Sequence, residues 1–265
     1  MTEAIDDLAE LGRLTTALAP WRDQLVLVGG WAHRLHREHA SAHAPSYAAV
    51  RTRDADLAFA ANTQLHGQLN AALLQAGFTE HFSGDEHPPV AHYHLGEDDQ
   101  GFYAEFLMPL VGSGRRRGGE DDVTETRGGI VAQKLRHLEP LLVAPWMIRG
   151  VQVANAVAFV VQKLLIHATR NPPRKRANDI LYIHDTIQLF GAVLGTELRT
   201  LWDEQVARSL TARQRKEIPV LVDGIFGKVT DEVRRAAQIP RLQRTLRPED
   251  VQEVCRAGLG QLLGL

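Results

Sequence analysis

The sequence predicts an α+β fold, with a mixed or antiparallel sheet flanked by helices over residues 1–120 and a helical domain over residues 121–265. Two observations predict it. Before residue 120, short β-branched or alternating runs ("QLVLVGG", "DADLAFA", "VAHYHLG", "GFYAEFLMP") are interleaved with amphipathic stretches of helical period. From about residue 125 the pattern is almost wholly helical, punctuated by Pro172–Pro173, Pro219, Pro240 and Pro248, with one candidate strand near "IRGVQVA".

Taken in order, residues 3–18 predict a helix with Ile5, Leu8, Leu11, Leu14 and Leu18 on one side. "QLVLVGG" is a buried strand entering a tight turn, and "WAHRLHREHA" is the helix that follows it. "SAHAPSYAAV" is a loop and "DADLAFA" a second strand. "TQLHGQLNAALLQAGF" predicts an amphipathic helix stopping at Gly77, and two further strands flank the polar "EDDQ".

Composition narrows the function classes. A net charge of −2 gives no overall basic field that would draw the chain to nucleic acid, so any such contact must be local, and nothing in it reads DNA sequence. The N-terminal "MTEAIDDLAELGRL" is acidic and amphipathic, unlike a secretory leader. The most apolar run, "VQVANAVAFVVQKLLI", is interrupted by Asn155, Gln162 and Lys163, so no membrane span is expected. A single cysteine, Cys255, excludes an internal disulfide and a multi-cysteine zinc site and predicts a buried thiol on a C-terminal helix. The expectation is a cytoplasmic protein. No Walker A, Gly-x-Ser-x-Gly or Gly-x-Gly-x-x-Gly pattern occurs, which argues against P-loop, hydrolase and dinucleotide-binding chemistry.

Strand "RTRDADLAFA" carries the chemistry of most interest. A period of two sends Asp54 and Asp56 to one face and Ala55, Leu57 and Phe59 to the other. Paired carboxylates repel unless a cation sits between them, and Mg²⁺ favours such hard oxygen ligands. On spacing alone, a charged edge strand meeting water explains the pair more simply. Three features favour the metal. Gly29 and Gly30 follow a strand, where backbone amides can approach a phosphate. Glu105 is the single charge in "FYAEFLMP" and would complete a two-metal carboxylate set. In the helical half, Lys163 and Arg170 share a helix face, and Lys175, Arg176 and Asp179 follow on the next helix. Two basic clusters flanking an Asp suit a triphosphate.

The order strand, Gly-Gly, helix, "TRDADL", strand Glu and helical Lys…Asp resembles the nucleotidyltransferase superfamily of polymerase-beta-like fold. "LVGGWA…RTRDADLAF" looks like that family's glycine motif and Asp-x-Asp, and "VANAVAFVVQKLLIHATR…KRANDILYIHD" looks like the helical-half motif of AbiEii-type toxins and related bacterial nucleotidyltransferases. The likeness covers roughly residues 25–190. It implies Asp54, Asp56 and Glu105 as ligands of two Mg²⁺ (or Mn²⁺) ions with bound NTP. It implies Gly29, Gly30, Thr52, Arg53, Lys163, Arg170, Lys175 and Asp179 at the nucleotide, with Lys163 near the phosphates. The implied reaction is attack of an acceptor hydroxyl on the α-phosphorus, with release of pyrophosphate. The acceptor is expected to be tRNA or another RNA, or else a protein hydroxyl or a small molecule, and an antitoxin is an expected partner. The alternative is a non-catalytic nucleotide- or partner-binding module that retains the fold.

Other candidates have simpler explanations. His33, His36, His39 and His43 read as surface histidines on a solvated helix rather than a transition-metal site. His92 and His94 share a strand face, most simply the polar side of a hairpin, unless that strand neighbours Glu105 and they meet base or acceptor. "GSGRRRGGEDD" reads as a charge-balanced loop whose Arg115, Arg116 and Arg117 could touch an RNA phosphate.

Overall fold

The computed structural model of the chain describes residues 6–50, 52–85, 88–96, 101–112, 123–240 and 244–265. The arginines at 115–117 and the junction expected at residue 120 lie outside them. Two compact units emerge, one made of residues 1–32 and 51–153, the other of residues 33–50 and 154–265.

In the first unit the chain runs through α1 (Asp6–Ala17), β1 (Val26–Val28), the start of α2 (Gly29–Leu35), β2 (Asp54–Ala58), α3 (Leu69–Gln75), β3 (Phe78–Ser83), β4 (Val90–Leu95) and β5 (Tyr103–Pro109). β6 (Thr124–Arg127), β7 (Ile130–Leu135), β8 (Trp146–Ile148) and β9 (Val151–Val153) complete it. The strands form one mixed sheet in the order β3-β4-β5-β2-β1-β9-β8, and β7 joins the far half of β5, bringing β6 with it. β2 is parallel to β5 and antiparallel to β1, which is itself parallel to β9. The α+β class expected from sequence is therefore the observed one.

Leu14 of α1 and Leu18 just after it line one small internal space with Leu25, Leu27 and Leu57, which sets that helix against the apolar face of β1 and β2. Trp31, fully buried, meets the ring edge of Phe102 at 5.8 Å. Burying an aromatic or leucine side chain of this kind contributes about 1.5–3 kcal/mol, so this face anchors β2 while its other side keeps two carboxylates.

The region from residue 125, expected to be helical apart from one strand near "IRGVQVA", begins instead with four strands, of which β9 falls in that segment. Both hairpins close on two-residue turns with positive φ at both positions, Gly128 (56°) and Gly129 (80°) between β6 and β7, and Arg149 (51°) and Gly150 (77°) between β8 and β9. Such turns match the twist of antiparallel strands, and the alternation in "TETRGGIVAQKL" supplies the strand period. α3 is also shorter than expected, because Gly67, at φ 87°, belongs to the loop before it. β3 was not anticipated; its outer residues are mostly exposed and give little apolar signal.

The second unit is built on α4 (Ala156–Ile166) and α5 (Pro173–Leu189), followed by a helical stretch at 194–209 in which α and π turns alternate. α6 (Ala212–Phe226), α7 (Asp231–Gln238) and α8 (Pro248–Leu263) complete it. Caps explain the starts. The Asn155 side chain accepts from the Ala158 amide at 2.9 Å, Thr211 forms a capping box with Gln214, and Thr230 caps α7. Pro173 and Pro248 open their helices in the first turn, where a missing N–H costs nothing, but α6 runs through Pro219 instead of ending there. Cys255 is buried on α8, and burial raises its thiol pKa. α8 crosses α5 where a Cβ on Gly258 would collide with Ile187. Residues 33–50 are fastened here. The Arg244 guanidinium lies 3.4 Å over the Tyr47 ring and its Nη2 donates to Asp185 at 2.5 Å, while the His43 amide donates to the Leu189 carbonyl at 2.8 Å. No helix among the described residues is long and apolar enough to cross a membrane.

Two of the four histidines expected on a solvated face are core residues. His33 is 1% exposed and stacked on Phe159, and His36 is fully buried with Nε2 donating to the Ala154 carbonyl at 2.7 Å. Neither His33 ring nitrogen finds a hydrogen-bond partner among the described residues. Burial foremost, then the neighbouring His36, pulls the His33 pKa to about 3, with Asp185 opposing; burial brings His36 to about 4. Both rings stay neutral in the fold while the unfolded chain protonates them below about pH 6.5. Unfolded chains then bind more protons, so stability falls as pH drops from about 6.5 toward 4, with a slope approaching two protons, or at most about 2.7 kcal/mol per pH unit. Urea unfolding at a series of pH values checks this. A His33→Phe variant should lose about half of the slope, and a flat profile from pH 6.5 to 4 would contradict the burial.

Candidate metal and nucleotide site

β2 places Asp54 and Asp56 on the face opposite buried Ala55 and Leu57, both carboxylates half-exposed. Its neighbours extend this face in register. Asp56 pairs with Glu105 of β5, Glu105 with His92 of β4, and His92 with His81 of β3. One position along, Asp54 pairs with Tyr103 and Tyr103 with His94. Directly paired residues share a face, so the three carboxylates and a strip of rings form one surface of the sheet.

Thr52 Oγ1 donates to Asp54 Oδ1, which orients that carboxylate. Glu105 Oε1 lies 3.3 Å from His92 Nε2. Burial, followed by His94 and His81, lowers the His92 pKa, and burial with the charges of Asp54, Glu105 and Asp56 drives the Tyr103 hydroxyl up. Both rings therefore sit uncharged beside the acids at neutral pH.

Gly29, directly after β1, lies against the Asp56 carboxylate. Its φ is 65°, a conformation L side chains rarely adopt, and a Cβ there would collide with Asp56 Oδ2. Gly29→Ala should therefore cost about 1–2 kcal/mol of stability and displace the Asp56 carboxylate. Thermal denaturation and divalent-metal titration read the two effects separately; a variant normal in both would show that this close approach is not a constraint. Gly30, buried, follows it into α2, and Arg53 is exposed just before β2.

Among the described residues there is no group of three or more His, Cys, Asp or Glu that could hold a metal ion. Mg²⁺ does not require one. It is held by one or two carboxylates and completes its shell with water and substrate phosphate. Asp54 and Asp56, with Glu105 in register beside them, provide that hard-oxygen donor set, so the residues present fit Mg²⁺ or Mn²⁺ in an open site.

The remaining candidates lie in the second unit. Lys163 of α4 is 6% exposed at its side chain, its Nζ 3.0 Å from Asp179 Oδ1 and above the rings of Phe159 and Tyr182 at 5.3 and 5.5 Å. Arg170 Nε reaches Asp179 Oδ2 at 3.2 Å. Asp179 thus gathers both cations at 1% exposure, whereas Lys175 is exposed on the first turn of α5. The structure brings Gly29, Thr52, Asp54, Asp56 and Glu105 together in one unit and Lys163, Arg170 and Asp179 together in the other. The ring strip beside Glu105 includes His92 and His94, read from the sequence as the polar side of a hairpin unless their strand neighbours that of Glu105; β4 does pair with β5, and His81 and Tyr103 are the members of the strip that the sequence did not single out.

Two Helicobacter pylori proteins are structurally similar. One, assigned as a nucleotidyltransferase, is 11% identical with a TM-score of 0.48, the match covering 100% of this chain and 96% of that one. The other, JHP933, is 13% identical with a TM-score of 0.47, covering 100% and 93%. No curated protein matches the sequence at a significant level. The sequence profile of the family described as nucleotidyltransferase matches residues 7–207, most of the 265-residue chain, and the protein belongs to that nucleotidyltransferase family.

Proposed function

We propose that the protein is a divalent-metal-dependent nucleotidyltransferase that moves an NMP from an NTP to an acceptor hydroxyl, with Asp54, Asp56 and Glu105 as its metal ligands. The observation that carries this reading is the in-register carboxylate face beside a glycine that only a side-chain-free residue can occupy. Bound Mg²⁺ or Mn²⁺, two ions in the full reading, would neutralise phosphoryl charge and lower the pKa of the acceptor hydroxyl. Asp54 and Asp56 would hold the cation at one point of the strand, Thr52 orients Asp54, and Gly29, lacking a side chain, lets the backbone come close to the Asp56 carboxylate. The acceptor hydroxyl gives up its proton to solvent, its oxygen forms a bond to the α-phosphorus as the bond to the bridging oxygen breaks, and pyrophosphate leaves. Positioning and charge neutralisation supply most of the acceleration in such transfers.

Among acceptors we place RNA, tRNA in particular, ahead of a protein hydroxyl or a small molecule, on the likeness of the helical half to AbiEii-type toxins. That likeness also motivates an antitoxin partner and a cytoplasmic site of action. The test is incubation with each α-labelled NTP, Mg²⁺ or Mn²⁺, total RNA and a cell lysate. Label is expected on RNA and absent without divalent metal. Label on no acceptor, or label unchanged when Asp54 and Asp56 are both replaced by Asn, would remove the catalytic reading; label on protein alone would move the acceptor class.

A further inference from the structure

The β4–β5 pairing puts an imidazole against the carboxylate that stands third in the metal set. His92 and Glu105 are directly opposed in the ladder, and Nε2 lies 3.3 Å from Oε1. Their side chains are 26% and 18% exposed, so the contact is partly shielded from water and is stronger than a pair on the open surface. A proton on Nε2 would make that nitrogen the donor and the Glu105 carboxylate the acceptor.

Further rings limit the movement of this one. Tyr103, one pleat away on β5, lies 5.5 Å from the His92 ring at an interplanar angle of 45°. His94 stacks on Tyr103 at 5.0 Å and 17°, and its other neighbour, His81, sits 4.6 Å away. His94 is 8% exposed, which makes it the buried centre of the strip. Four rings from three strands, His92 among them, therefore pack around the contact with Glu105. A Glu side chain has three rotatable bonds, and restricting its carboxylate before a cation arrives removes part of that ordering cost from binding.

We propose that His92 is the positioning residue of the metal site, its Nε2–H holding the Glu105 carboxylate toward Asp56, with Tyr103 and His94 holding the His92 ring. The inference rests on the metal role of Glu105 given above. A cross-strand pair that only fastened β4 to β5 would contribute to stability and leave metal affinity alone; a positioning residue alters metal affinity at unchanged fold.

Titration of Mn²⁺ against the full-length protein, followed by the loss of the free-ion electron paramagnetic resonance signal, separates the two without any turnover. His92→Ala is expected to weaken Mn²⁺ binding about 10–100-fold, the usual effect of removing an outer-shell partner. His92→Gln, whose amide N–H can still reach the carboxylate, is expected to recover most of that affinity, and both variants should keep the wild-type circular dichroism spectrum. Glu105→Gln is measured alongside. If Glu105→Gln weakens Mn²⁺ binding and His92→Ala does not, the positioning role is overturned while the metal assignment stands. Equal weakening in His92→Ala and His92→Gln overturns it too, because the donor would then be irrelevant. If Glu105→Gln itself binds Mn²⁺ as tightly as wild type, the metal role of Glu105 falls, and the inference about His92 falls with it. Should His92→Ala fail to fold, His92→Gln against His92→Leu supplies the same comparison.

Discussion

Replacing Asp54 and Asp56 together by Asn is expected to lower nucleotidyl transfer by at least about 10³-fold, a loss of roughly 4 kcal/mol of transition-state stabilisation. The substitution keeps the shape of both side chains and removes only the charge that a divalent cation requires. Its effect on the empty protein should have the opposite sign. The two carboxylates leave the same face of β2 with Glu105 in register beside Asp56, so without a cation they repel one another. The double variant should accordingly melt at or above the wild-type temperature in the absence of divalent metal, as expected where function holds like charges together against stability. Added Mn²⁺ should raise the wild-type melting temperature and leave that of the variant unchanged. Transfer assays and metal-dependent melting curves on the two proteins check both halves. A variant that retains transfer, or one that unfolds without metal, would contradict this account of the strand.

The second large effect is expected on stability. Asp179→Ala should destabilise the helical unit by about 3–5 kcal/mol, because it leaves the buried ammonium of Lys163 without its counter-charge. In the native unit Asp179 Oδ1 and Oδ2 serve Lys163 and Arg170 separately, at 3.0 and 3.2 Å. Arg170 is about one-third exposed and can turn to water, but Lys163, at 6% side-chain exposure, cannot. The faces of Phe159 and Tyr182 below its ammonium offer about 0.5–2 kcal/mol, too little to replace a carboxylate. Asp179→Leu combined with Lys163→Met, which removes both charges at similar volume, should recover most of the loss. Denaturant unfolding of the single and double variants measures this. A cost below about 1 kcal/mol for Asp179→Ala would mean that the ion pair adds little to the core.

The features that proved legible in the sequence were those with a local signature. β1, β2, β4 and β5 each carry a clear strand period, and the paired glycines mark the turn where the backbone must come close to Asp56. The Asp-x-Asp alternation alone was enough to place both acids on one face, since the period of a strand is fixed by its geometry. Three things were not legible, each for a physical reason. The β6–β7 hairpin is short, and its strands contain Lys, Gln and Arg, which a helix accommodates equally well, while of the β8–β9 hairpin only the strand in "IRGVQVA" was legible. Only the paired positive-φ turns distinguish the two readings. The division of the chain was hidden because residues 33–50 join the helical unit through Arg244 and Leu189, contacts roughly 150–200 residues away in sequence that leave no local pattern. His33 and His36 were misread because a histidine in a helix looks the same on a wet face as in a core, and only the rings of Phe159 and Tyr182 mark the difference. The ring strip beside Glu105 illustrates the same point at the site itself. Which strands neighbour one another is a property of the whole sheet, and the chemistry of β4 depends on it.

The central claim is that the Asp54, Asp56 and Glu105 face binds an NTP through divalent metal. Calorimetric titration of the wild-type protein with a non-hydrolysable NTP, with Mn²⁺ and then with chelator, tests it most directly. The account predicts binding that requires the metal and disappears in the Asp54→Asn, Asp56→Asn double variant. NTP affinity that is the same with chelator as with Mn²⁺, or the same in the double variant as in wild type, would contradict it and make the protein a nucleotide-binding module that keeps the fold without using the carboxylates.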